Sequence, residues 1–94
     1  MKNVLIVEDS KAIRSLIRIA LEEAGGFFTT EANNGFEALR TLPSRKFDLI
    51  ITDINMPKLD GFGFIEAVRV DDDYRAIPIL VLTTESDPAK KQRA

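Results

Sequence analysis

Phe47-Asp48-Leu49-Ile50-Ile51-Thr52-Asp53-Ile54-Asn55-Met56-Pro57 is an apolar run that stops on an acid and is followed by a Met-Pro pair that interrupts regular structure. Short apolar runs bounded by breakers read as strands buried on both faces, as in parallel sheets. An equivalent run, Val4-Leu5-Ile6-Val7, closes on Glu8-Asp9. Parallel sheets take their ligands in the crevice at the carboxyl ends of the strands, so two such runs side by side bring three carboxylates to one point. Crowded carboxylates repel and raise one another's pKa. A hard cation offsets that repulsion, and an oxygen-only donor set without His or Cys favours Mg²⁺ over zinc.

The strand candidates are residues 4–7, 27–32, 47–52 and 77–82, alternating with segments of helical period. The first such segment sets Ile13, Leu16, Ile17, Ala20, Leu21 and Ala24 on one stripe, expected to pack on the sheet, and Gly25-Gly26 stops it. A second helix opens at Asn34, with Glu37 completing a capping-box pattern, and buries Ala38, Leu39 and Leu42 before Pro43. A third follows Asp60-Gly61 and offers Phe62, Ile65 and either Val68 or Ala67 to the core; residues 71–76 then read as a solvated turn. Short connections of this kind suit right-handed βαβ units. The expected fold is α/β, one doubly wound parallel sheet spanning residues 1–94.

Ser86-Asp87-Pro88 is a helix start with only six residues after it. The pattern therefore breaks off inside a helix. Either the natural chain continues, which is the preferred reading, or strand 79–82 covers its edge by pairing with another copy.

Several functions are disfavoured at once. A formal charge of −2 gives no basis for general nucleic-acid binding. Cysteine is absent, which removes disulfides and thiolate metal sites. No apolar run approaches the roughly 18 residues of a membrane span, and Glu8-Asp9 cut the first run too short for a signal-peptide core. A cytoplasmic protein is the simplest expectation.

Four ordered motifs resemble one family: Leu5-Ile6-Val7-Glu8-Asp9-Ser10, the stretch from Asp48 to Pro57, Asp60-Gly61, and Pro78-Ile79-Leu80-Val81-Leu82-Thr83-Thr84-Glu85. The chain resembles the receiver domain of two-component response regulators, above all the single-domain chemotaxis (CheY-like) type, with flavodoxin-like topology and without its fifth strand and fifth helix. The resemblance implies a phosphoacceptor that is not an enzyme on outside substrates but catalyses its own phosphorylation and dephosphorylation. It implies Asp53 as acceptor from a sensor histidine kinase, and Mg²⁺ held by Glu8, Asp9, Asp53 and the backbone carbonyl of Asn55. It further implies Thr83 as the switch hydroxyl that passes the signal to a downstream protein target. The Asn55 side chain and Glu85 match the chemotaxis-type pair flanking the acyl phosphate, which suggests a short phosphoryl lifetime. Thr84 stands where the family has a smaller residue. The family's lysine and aromatic switch positions fall after Ala94 and are unassigned; Lys58 does not match that lysine.

Each motif alone has a plainer reading. Glu8-Asp9-Ser10 would cap a helix, Asp53-Ile54-Asn55 would make a turn, and Thr83-Thr84 would be ordinary strand residues. The six phenylalanines are core or half-buried surface rather than a cofactor box. Two further function classes stay open: a Mg²⁺-dependent phosphatase with an aspartyl-phosphate intermediate, and a non-signalling fragment or swapped homo-oligomer. The phosphatase usually needs a second acid two residues after its nucleophile, where this chain has Asn55. A flavin module is weaker still, because Glu8-Asp9 puts negative charge where a phosphate needs donors.

Overall fold

Apolar runs become strands here, and residues 4–7 and 50–53, in the middle of the sheet, are buried on both of its faces. In the computed structural model, which describes residues 1–54 and 61–82, the runs form β1 (Lys2–Val7), β2 (Phe27–Ala32), β3 (Leu49–Asp53) and β4 (Ile79–Leu82). The strands make one parallel sheet in the order β2-β1-β3-β4. Helices α1 (Lys11–Ala24), α2 (Gly35–Thr41) and α3 (Gly61–Arg69) connect them, and a 3₁₀ turn, Leu42–Ser44, follows α2. The alternation expected of a doubly wound α/β fold is present. No helix among the described residues is long and apolar enough to cross a membrane.

Side chains that alternate along each strand divide the core into two layers. Leu5, Val7, Ala32 and Ile50 meet Ala38, Leu42, Phe47, Phe64 and Val68, so α2 and α3 cover one face. Val4, Ile6 and Ile51 face the other way, where Ile17 and Leu21 of α1 pack with Phe27, Leu49 and Leu82. Register follows the same rows: Leu5 pairs with Ile50 and Ile6 with Ile51.

Caps fall where the polar residues are. The Asn34 side chain accepts from the Glu37 amide at 2.9 Å, and the Glu37 carboxylate reaches back to the Asn33 amide at 3.1 Å. Gly25 and Gly26 both take positive φ, 80° and 82°, a conformation that side chains with a Cβ rarely adopt, and this ends α1. The Asp71–73 run is exposed; Asp71 Oδ1 accepts from the Asp73 amide and closes the turn.

Four expectations need correction. Leu16 is 67% exposed and Ala20 and Ala24 are also exposed, so of the expected α1 stripe Ile17 and Leu21 are the residues packed on the sheet core. Phe62 is 66% exposed, and Phe64, one helical turn before Val68, fills the core in its place. Phe47 is buried but lies before the ladder, which runs from Leu49 to Asp53. The fourth strand starts at Ile79: the Ile77 amide donates to the Tyr74 carbonyl, and Pro78 has no amide to pair while its carbonyl accepts from Ile50.

Candidate functional site

Val7 pairs with Thr52 in the β1–β3 ladder, so the next residues along, Glu8 and Asp53, stand opposite each other at the carboxyl ends of the two central strands. Both continue the rows of Ile6 and Ile51. Each is 2% exposed, and Asp9, the next residue, is exposed. Carboxylate oxygens of Glu8, Asp9 and Asp53 all lie within 4.8 Å of one another. The three acids read from the strand ends are thus brought together, in an acidic mouth of which Glu8 and Asp53 are the buried members and Asp9 the exposed one.

Local hydrogen bonds shape this mouth. Glu8 donates its amide to the Ala32 carbonyl at 3.1 Å, extending the β1–β2 ladder by one residue. Its carboxylate accepts from the Ser10 amide at 2.8 Å. Ser10 caps α1, its hydroxyl accepting from the Ile13 amide. The capping reading and the site reading therefore coexist, with Ser10 as the cap and Glu8 bracing the turn.

Burial pushes the Glu8 carboxyl up from 4.5 to about 7; hydrogen bonding with Asp9 and the charge and hydrogen bonding of Asp53 add to the rise, and the Ser10 amide opposes it. Taking a carboxylate out of water next to other carboxylates disfavours its charged form. Protonation relieves that cost, and so does a cation. Oxygen-only donors of high charge density fit a hard divalent ion such as Mg²⁺. Among the described residues the buried polar side chains are Glu8, Thr52 and Asp53, and Thr52 donates its hydroxyl to the Asp53 carbonyl at 3.0 Å.

Asn55, Thr83, Thr84 and Glu85 lie outside the described residues, as do Met56-Pro57, Asp60 and the helix start at Ser86-Asp87-Pro88. One residue at the site was not legible in the sequence. Arg14 of α1 donates from Nη1 to the Glu8 carbonyl at 2.7 Å and from Nε to Glu31 Oε1 on β2 at 3.0 Å. Its only sequence signal is a charge beside the apolar stripe of α1, with Glu31 in a strand otherwise built of Phe, Thr and Ala.

A family model described as the response regulator receiver domain matches residues 4–94. The chain is 37% identical over 91 residues to a probable chemotaxis protein CheY of Rhizobium etli, an alignment that covers 97% of this chain and 70% of that one. It is 39% identical over 90 residues to a probable transcriptional regulator ycf27 of Guillardia theta, covering 96% of this chain and 34% of the regulator. Among solved structures, chemotaxis protein CheY4 of Vibrio cholerae superposes with a TM-score of 0.84 at 46% identity, covering 98% of this chain and 76% of that one. The signal receiver domain of a signal transduction histidine kinase from Syntrophus aciditrophicus gives a TM-score of 0.85 at 39% identity, over 99% of this chain and 70% of that one.

Proposed function

The chain belongs to the response regulator receiver domain family, and from that premise we propose that Asp53 accepts a phosphoryl group from a sensor histidine kinase. Receiver domains are signalling proteins, and the acidic mouth is what connects this chain to their chemistry. The observation that carries the proposal is the convergence of Glu8, Asp9 and buried Asp53 at the ends of adjacent central strands.

A carboxylate oxygen of Asp53 attacks phosphorus on the phosphohistidine, the P–N bond breaks, its electron pair stays on the imidazole, and an acyl phosphate results. Approach of two anions opposes this step. Glu8, Asp9 and Asp53 would hold Mg²⁺, whose positive charge would lower that opposition. Burial of Asp53 at the base of the mouth presents the carboxylate from a fixed strand end, so little freedom is lost on reaction. On the family pattern the Asn55 carbonyl joins the ion's ligands, the Asn55 side chain and Glu85 flank the product, and Thr83 reads it. These residues lie outside the described residues, and their roles are proposals from sequence position.

The new phosphoryl group adds up to about two negative charges and three strong acceptor oxygens, enough to draw a donor into a second packing and alter binding of a downstream protein. The chemotaxis relatives support a chemotaxis-type output for this module, and a cytoplasmic location is part of the same proposal. The test is intact mass after incubation with Mg²⁺ and acetyl phosphate. A labile phosphoryl adduct that requires Mg²⁺ and disappears in Asp53→Asn is expected; equal label uptake by Asp53→Asn would overturn the acceptor assignment.

A further inference from the structure

The Glu8 peptide is held on three sides. Its amide donates to the Ala32 carbonyl, its side chain accepts from the Ser10 amide, and its carbonyl accepts a 2.7 Å bond from Arg14 Nη1. The first two bonds follow from the sheet and the cap. The third comes from a guanidinium whose side chain is 15% exposed and whose Nε is engaged at 3.0 Å by Glu31. Glu31 in turn is approached by Arg18 Nε at 3.5 Å, and Arg18 Nη1 pairs with Glu22 at 2.8 Å. Arg14 therefore joins three elements: the end of β1, the first turns of α1, and the edge strand β2.

The geometry points to Arg14 as a positioning residue that holds the Glu8–Asp9 turn in the shape the carboxylate cluster needs. This rests on the reading of that cluster as a cation site. A guanidinium suits the task because its rigid planar fork can serve two acceptors at once, one on a backbone carbonyl and one on a carboxylate. An ammonium carries the same charge without that fork. Glu8 and Asp9 are consecutive residues on opposite sides of one peptide unit, so a rotation of the Glu8 carbonyl redirects the Asp9 side chain as well. Groups that fix metal ligands from outside characteristically change metal affinity by 10–100-fold when removed.

The experiment compares wild type, Arg14→Met and Arg14→Lys in calorimetric titrations with Mg²⁺ and, separately, Ca²⁺, alongside thermal midpoints and amide exchange of the metal-free proteins. Mg²⁺ demands near-ideal octahedral geometry and Ca²⁺ accepts a looser shell, so a positioning role weakens the first more than the second. Expected is a loss of about tenfold in Mg²⁺ affinity in both variants, with about threefold or less for Ca²⁺, and faster exchange of the Glu8 and Ser10 amides. A variant whose Mg²⁺ affinity stays within about twofold of wild type overturns the assignment. So does an equal fall for both ions that tracks the thermal midpoint, since that is a structural role alone, or full rescue by Arg14→Lys, since that is charge alone. If the wild type itself binds no cation, the cation-site reading fails. Exchange in the metal-free proteins then decides on Arg14, because Glu8 and Ser10 amides unchanged by Arg14→Met overturn its hold on the turn.

Discussion

At the scale of single residues, Glu8 carries the clearest physical consequence. Its carboxyl titrates near 4.5 when the chain is unfolded and near 7 in the fold. Between those values the folded state keeps a proton that the unfolded state has released. The associated stability is fully present below about pH 4.5 and is lost as the pH rises through 7, with a ceiling on the order of 3 kcal/mol. The chain has no histidine to obscure this window. Metal-free protein is therefore expected to lose stability in urea titrations from pH 5 to pH 8, and Glu8→Gln to flatten that slope; a slope unchanged by the substitution would count against Glu8 as its source. Mg²⁺ affinity should move the opposite way and strengthen over the same window, because the ion competes with the proton for Glu8. The three acids were legible because a carboxylate that terminates an apolar run falls at a strand end wherever the sheet is parallel. Arg14 was not, since its two acceptors come from β1 and β2, and only their register brings Glu31 beside α1.

Elements show where pattern reading works and where it stops. The order of strands and helices follows from periodicity, and the Asn34–Glu37 cap from residue type, because both are local. Which part of a helix meets the core is not local. The apolar arc of α1 is wider than its contact, so Ile17 and Leu21 pack while Leu16 is exposed. In α3 the alternation of Phe and Gly in Gly61-Phe62-Gly63-Phe64 offers two apolar faces, and the pairing of Phe64 with Val68 one turn later decides between them. This predicts a sharp contrast. Phe64→Ala removes a fully buried ring and should cost about 3–5 kcal/mol, whereas Phe62→Ala should stay within about 0.5 kcal/mol of wild type. Chemical denaturation of the two variants checks it, and equal costs would reverse the facing assigned to α3. Asn34→Ala should fall between them at about 1 kcal/mol, the usual worth of an N-cap, read in the same denaturation experiment.

For the whole molecule, the decisive relation is between a small core and a charged mouth at its centre. Folded domains are stable by a margin that is small against the cost of crowding charges in their interior. Two of the three crowded carboxylates, Glu8 just past the end of β1 and Asp53 at the end of β3, stand at the carboxyl ends of the two central strands. Repulsion there acts directly on the pair of strands around which both core layers are built. A cation bound between them would relieve that repulsion and, by binding the folded state alone, add RT ln(1 + [L]/Kd) to stability, about 2.7 kcal/mol at a concentration 100 times Kd. The urea midpoint is accordingly expected to climb with the logarithm of Mg²⁺ concentration at pH 8, with a slope corresponding to one ion. In Asp53→Asn the mouth has lost one charge, so the metal-free protein should start higher and climb less. A wild-type midpoint indifferent to Mg²⁺ would show that the fold tolerates its three carboxylates without a cation, and that strand-end charge and stability are not linked through one.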